Sequence, residues 1–195
     1  MEVVSQIEVQ RWPGRGYPSS KLVLYLLREA GLLKPFERLR VVDMTFGQGV
    51  WWMSLPQARI AGFDVRRLDW KRRPSCFFQQ PCQSWRLRVA EIEECLGGQP
   101  DLVAVDPPWE RCVKGNGCRG RGARYHYRAS RAVGPPESIL EAARQAALYW
   151  GVHLLVHYET RWIPAGLKPV VELWWKPFLP NVDKYDYRNW WAVLR

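Results

Sequence analysis

Three short apolar runs in this chain each end in an aspartate: LRVVD (39–43), ARIAGFD (58–64) and LVAVD (102–106). Runs this short, bounded by turn-forming residues, read as strands buried on both faces, because a helix needs a longer periodic pattern. SCFFQQ (75–80), VHLLVHYE (152–159), PVVELWWKPF (169–178) and YRNWWAVLR (187–195) supply further strands. Helical patterns lie between them, at WRLRVAEIEECLGG (85–98) and SILEAARQAALYWG (138–151). An earlier helix runs through KLVLYLLREA, with Ser19 or Ser20 as its cap, Gly31 as its stop, and Leu22, Val23, Leu26 and Leu27 as its core stripe.

Strands alternating with helices predict a parallel sheet covered on both faces, whereas the last two strands, with no helix between them, predict an antiparallel pair. The expected fold is a Rossmann-like, mostly parallel seven-stranded sheet with helices on both faces and an antiparallel C-terminal strand pair. Ligands of such sheets bind at the carboxyl ends of the strands, near the point where strand order reverses. Asp43, Asp64 and Asp106 would therefore face one crevice.

At 195 residues, 47% hydrophobic and 25% charged, the chain suits a single globular domain, 1–195. VVSQIEV (3–9) is a possible edge strand, and RWPGRGYP (11–18) reads as a loop in an N-terminal extension spanning 1–18. The sequence contains no apolar run long enough for a membrane span and no basic-then-apolar leader. Its five cysteines form no CxxC pair, which suggests reduced thiols in a cytoplasmic protein and no zinc site. Lys and Arg outnumber Asp and Glu by 29 to 19, a net charge of +10 that points to a polyanionic partner.

After the first strand comes Asp43-x-x-x-Gly47-x-Gly49, a sharp turn that lets a ligand approach the main chain. Asp64, ending the next strand, is placed to accept hydrogen bonds from ribose hydroxyls. A dinucleotide fingerprint would need a third glycine where Trp52 stands, so a cofactor with a ribose and no pyrophosphate fits better.

The strand LVAV delivers Asp106 into Pro107, Pro108 and Trp109. Prolines cannot continue a central strand, so the chain leaves the sheet at Asp106. A carboxylate, a rigid turn with a directed carbonyl, and an indole thus stand together at one strand tip. VVDMTFGQG resembles motif I of the class I S-adenosylmethionine-dependent methyltransferases, and DPPW resembles motif IV of their amino-methyltransferases, especially the N6-adenine nucleic-acid enzymes. The resemblance spans about residues 19–195 and rests on these two motifs and their order. Thr45 stands where many members of the family have glycine. The resemblance implies S-adenosylmethionine as cofactor, held at Asp43, Thr45, Gly47, Gly49 and Asp64, with Asp106, Pro107, Pro108 and Trp109 at the methyl-accepting amine. Gln79 or Gln80 is expected at the cofactor adenine, and Tyr17 to Lys21 near its methionine end.

Directly after motif IV, residues 111–131 carry Arg111, Lys114, Arg119, Arg121, Arg124, Arg128 and Arg131 without an acid, and Tyr125, His126 and Tyr127 lie among them. Such a loop, bounded as 110–136, suits phosphate contact and base stacking. His153 and His157 share one face of a strand and read as sheet histidines rather than metal ligands. The Trp pairs at 51–52, 174–175 and 190–191 read as core. The expected activity is methyl transfer to adenine N6 in nucleic acid, RNA slightly favoured over DNA. Cytosine N4 is one alternative acceptor, and a non-catalytic nucleic-acid-binding subunit is another reading.

Overall fold

A computed structural model of the chain describes residues 18–33, 38–66, 69–107, 134–175 and 189–195. The seven strands are β1 (Arg40–Asp43), β2 (Arg59–Phe63), β3 (Cys76–Phe78), β4 (Leu102–Val105), β5 (His153–Tyr158), β6 (Pro169–Trp175) and β7 (Asn189–Leu194). They form one sheet in the order β3-β2-β1-β4-β5-β7-β6. The five strands from β3 to β5 run parallel, whereas β7 pairs antiparallel with both β5 and β6. This is the Rossmann-like, mostly parallel seven-stranded sheet with an antiparallel C-terminal strand pair that the alternation of strands and helices predicted. The final strand enters between β5 and β6, an insertion that the sequence pattern alone does not order. The candidate edge strand at 3–9 lies outside the described residues.

Alternate strand residues serve the two faces of the sheet. Val42, Val103, Val105, Leu154 and Val156 pack against α2 (Val89–Leu96) and α3 (Pro136–Trp150) through Ile92, Leu96, Ile139, Leu140, Ala143 and Ala147. Val41, Leu102, Ala104, Leu155 and Val193 face α1 (Pro18–Glu29), whose buried stripe is Leu22, Val23, Leu26 and Leu27. Gly31 stops that helix in the left-handed region at φ 70°, as expected. Ser20, in contrast, does not cap it: the helix starts at Pro18, and the Ser20 hydroxyl meets that of Ser54 at 2.9 Å.

A 3-10 helix over Cys82–Arg88 precedes α2, so residues 85–88 depart from the helix expected over 85–98. Cys82 and Trp85 are both buried three residues apart, a spacing that the three-residue turn stacks on one side. At the amino ends of β1 and β4, the Arg40 guanidinium makes a two-pronged contact with Asp101, at 3.1 and 2.8 Å. The Arg40 N–H donates to the same carboxylate at 2.9 Å. Of the tryptophans expected in the core, Trp52, Trp190 and Trp191 are fully buried, but Trp174 is 44% exposed on the edge strand.

The cysteine expectation is corrected. Cys76 on β3 and Cys95 on α2 form a disulfide, their Cα atoms 6.1 Å apart. Helix α2 packs back across the neighbouring strands, and this crossing brings together two thiols that no CxxC spacing announces. Cys82 is the free cysteine among the described residues, and burial pushes its thiol up to about 12. Cys112 and Cys118 lie outside the described residues. No helix of the described residues is long and apolar enough to cross a membrane.

The disulfide closes a loop with a sequence separation of 19, so loop-closure entropy assigns it about 3 kcal/mol of stability. Chemical denaturation of the reduced protein, or of Cys95→Ala, is expected to show a loss of about that size. Unchanged stability in both would remove the disulfide from the forces holding β3 to α2.

Candidate active site

Asp43 ends β1 with its side chain 3% exposed. Its Oδ1 accepts the Thr45 N–H at 3.0 Å and its Oδ2 accepts the Trp52 indole N–H at 2.6 Å. Burial raises its pKa from 3.8 to about 7, against the lowering effect of those two hydrogen bonds, and the charges of Asp106 and Asp64 raise it further. Trp52, which replaces the third glycine of a dinucleotide turn, thus serves the turn as a donor.

Gly47 and Gly49 both take positive φ, 56° and 73°. At Gly49 a Cβ would also lie 2.5 Å from the Arg72 carbonyl oxygen and 2.6 Å from the Phe46 ring, so only glycine fits. Gly47 donates its N–H to Asp64 Oδ2 at 3.2 Å. Asp64 Oδ1 accepts the Arg66 N–H at 2.9 Å and meets the Arg66 guanidinium at 3.3 Å, leaving the side chain 7% exposed. Arg72 braces the far side of this turn, its guanidinium donating to the carbonyls of Pro56 at 3.1 Å and Ala58 at 2.7 Å, and also to those of Trp52 and Leu55.

The two sides of the topological switch are joined by a hydroxyl. Asp106, following β4, donates its backbone N–H to Thr45 Oγ1 at 2.6 Å, while Met44 N–H reaches the Ala104 carbonyl at 2.9 Å. Thr45 is therefore the tie between the glycine turn after β1 and the DPPW strand tip. The Asp106 side chain is 37% exposed. His157, near the end of β5, places Nδ1 3.0 Å from Asp106 Oδ1, and Pro107 is buried beside them.

Gln80 follows β3, and its Oε1 accepts from the Arg88 guanidinium at 3.4 and 3.5 Å. Its buried Nε2 has no acceptor among the described residues. Pro108, Trp109, Arg111, Lys114, Arg119, Arg121, Arg124, Tyr125, Tyr127 and Arg128 lie outside the described residues, as does Tyr17. Within them, no group of three or more His, Cys, Asp and Glu side chains is arranged to hold a metal.

Sequence reasoning reached Asp43, the glycines, Asp64 and Asp106, and missed the hydroxyl tie, Arg72 and the approach of His157 to Asp106. The last had a signal: a histidine placed just after the apolar core of a strand parallel to LVAV stands level with the acid that follows LVAV.

Two outcomes follow from this geometry. Thr45→Val strands the Asp106 N–H and is expected to lower stability by about 1–3 kcal/mol in urea denaturation, while Thr45→Ser retains most of it. A carboxyl with a raised folded pKa contributes stability present below 3.8 and lost as pH rises toward about 7. The stability of the wild type relative to Asp43→Asn should therefore fall across that window and level off above it.

No protein-family model matches the chain, and no curated protein matches it. Among solved structures the chain is similar to an rRNA methylase from Streptococcus thermophilus, with a TM-score of 0.46 and 11% identity, covering 88% of this chain and 93% of that one. The fold class rests on the strand order itself, β3-β2-β1-β4-β5-β7-β6.

Proposed function

We propose that this chain is an S-adenosylmethionine-dependent methyltransferase acting on the N6 amino group of adenine in nucleic acid, RNA slightly favoured over DNA. One observation carries the reading: the Asp106 carboxylate stands partly exposed at the strand tip beside the switch point, its backbone fixed by Thr45. An acceptor on a backbone anchored at that place suits a group that must shed planarity as it reacts.

The residues at the turn fit such a cofactor. Positive-φ glycines let a ligand approach the main chain, the acids suit ribose hydroxyls and a cationic group, and Gln80 Nε2 is a buried donor lacking an acceptor among the described residues. In this reading Asp43, Thr45, Gly47 and Gly49 shape the turn. Asp64 accepts from the ribose through lone pairs that Gly47 and Arg66 leave open, and Gln80 meets the adenine edge. The bound cofactor supplies a methyl group made electrophilic by its sulfonium.

The acceptor side is set by the protein. An exocyclic adenine amine is a poor nucleophile because its lone pair is delocalised into the ring. Acceptors aimed at its N–H groups stabilise the tetrahedral geometry and the positive charge that develop during attack. Asp106 supplies one acceptor and the Pro107 carbonyl another. Pro108 stiffens the turn, and Trp109 stacks on the base, worth about 1–3 kcal/mol. Arg111, Lys114, Arg119, Arg121, Arg124 and Arg128 serve phosphates, and Tyr125 and Tyr127 serve flanking bases. The net charge of +10 supports a polyanionic substrate.

Incubation with S-adenosylmethionine and RNA or DNA, followed by mass spectrometry of the nucleosides, is expected to give N6-methyladenosine or its deoxy form. Asp106→Ala should lose about 100-fold or more in rate while still binding cofactor. Titration calorimetry should show Asp64→Ala weakening cofactor binding about 10- to 100-fold. Methylated cytosine would redirect the base assignment. A folded wild type that binds nucleic acid and no cofactor would replace the enzyme with a binding subunit.

A further inference from the structure

We propose that His157 is a positioning residue for Asp106: its Nδ1–H holds the Oδ1 edge of the carboxylate so that Oδ2 faces the methyl-accepting amine. The inference rests on the methyltransferase reading above and assigns that site a residue which neither resembled motif contains.

The placement follows from the sheet. Parallel register pairs Val105 with Val156, so the next step along both strands sets Asp106 beside His157. Both side chains share the α1 side of the sheet with Ala104 and Leu155, and at the strand ends they emerge over the crevice. His157 is 6% exposed, and its Nδ1 is 3.0 Å from Asp106 Oδ1. The contact is close but falls short of hydrogen-bond alignment, as catalytic hydrogen bonds often do before substrate binds.

Aromatic packing fixes the imidazole plane. Trp191 stands opposite His157 in the antiparallel register, and the rings stack with centroids 3.9 Å apart and planes 17° apart. Trp51, from the 3-10 turn after Gly49, closes a second side at 5.9 Å. A ring held this way has one nitrogen to offer the carboxylate and little freedom to withdraw it.

The physical need is specific. Thr45 anchors only the backbone of Asp106, and a carboxylate 37% exposed would otherwise rotate among its rotamers. Clamping Oδ1 removes that freedom before the amine arrives, so the carboxylate enters the reaction already oriented. Among the described residues, the other carboxylates at this end of the sheet are tied to the cofactor-type turn: Asp43 to Thr45 and Trp52, and Asp64 to Gly47 and Arg66. His157 is the imidazole that reaches Asp106.

Two substitutions separate orientation from packing. His157→Phe keeps a ring against Trp191 and removes the donor, whereas His157→Asn gives up the ring and keeps an N–H near the position of Nδ1. The Phe variant is expected to lose roughly 10- to 100-fold in kcat, with KM for nucleic acid changed by no more than about twofold. The Asn variant should recover a substantial part of that loss. A Phe variant as fast as wild type, or an Asn variant no faster than the Phe variant, overturns the proposal. Imidazole 15N NMR tests the pair without activity and without a His157 substitution. The neutral ring should be the Nδ1–H tautomer in wild type and lose that preference in Asp106→Ala, and an Nε2–H tautomer in wild type overturns the proposal. A wild type that transfers no methyl group defeats the methyltransferase reading, while the tautomer still decides whether His157 and Asp106 are coupled.

Discussion

The carboxyl of Asp43 is where the geometry of the crevice begins. One oxygen takes the Thr45 N–H and the other the Trp52 indole, so a single buried group fixes both arms of the turn that follows β1. Thr45, once held, offers its hydroxyl to the backbone of Asp106 across the switch point. The position of the DPPW acid is thereby set from a turn residue 61 positions earlier in the chain. Burial would expel an ionised carboxylate placed here without partners, and the two donated hydrogen bonds offset part of that penalty. Loss of either donor would loosen the turn and, through Thr45, the tip of β4.

The two ends of the sheet use acids in opposite ways. Asp101, at the amino ends, is gripped by the Arg40 guanidinium and main chain, a closed arrangement that fixes the register of β1 against β4. Asp43, Asp64 and Asp106, at the carboxyl ends, meet mainly N–H groups of the turn, an indole and the approach of a histidine, with Arg66 the guanidinium that takes part among the described residues. Arg72 lies close to this turn yet spends its donors on carbonyl oxygens. Among the described residues the carboxyl-end acids thus meet little countercharge, in a chain whose net charge is strongly positive.

How far the sequence reveals this architecture depends on the range of the signal. The strands ending at Asp43 and Asp106 are legible because apolar runs and prolines act over a few residues. The Gly47–Gly49 turn is legible because positive φ selects glycine locally. The Thr45–Asp106 tie is not, since a threonine hydroxyl carries no mark of which distant N–H it will meet. Trp52 could be seen to exclude a dinucleotide turn, but its role as donor to Asp43 appears only once the chain has bent back through a 3-10 turn. The Cys76–Cys95 bridge was hidden for a similar reason: pairing depends on α2 packing back over β2 and β1, a tertiary event with no local spacing rule. His157 is intermediate, being visible as a strand histidine but identifiable as a neighbour of Asp106 only through the register of β4 with β5.

The insertion of β7 between β5 and β6 has a consequence for how the protein is made. Strands β3 to β5 can assemble in the order in which their partners are synthesised, because each pairs with strands that precede it or follow soon after. Among the described strands, the open side of β5 and β6 must wait, since both take their hydrogen bonds from β7, which follows them in the chain. During that interval a nascent chain carries two unsatisfied strand edges, one of them flanked by the exposed Val170 and Trp174. Edges of this kind are where one copy captures another. The interval before β7 docks is therefore the stage at which synthesis rate and chain concentration would most strongly divide correct assembly from aggregation.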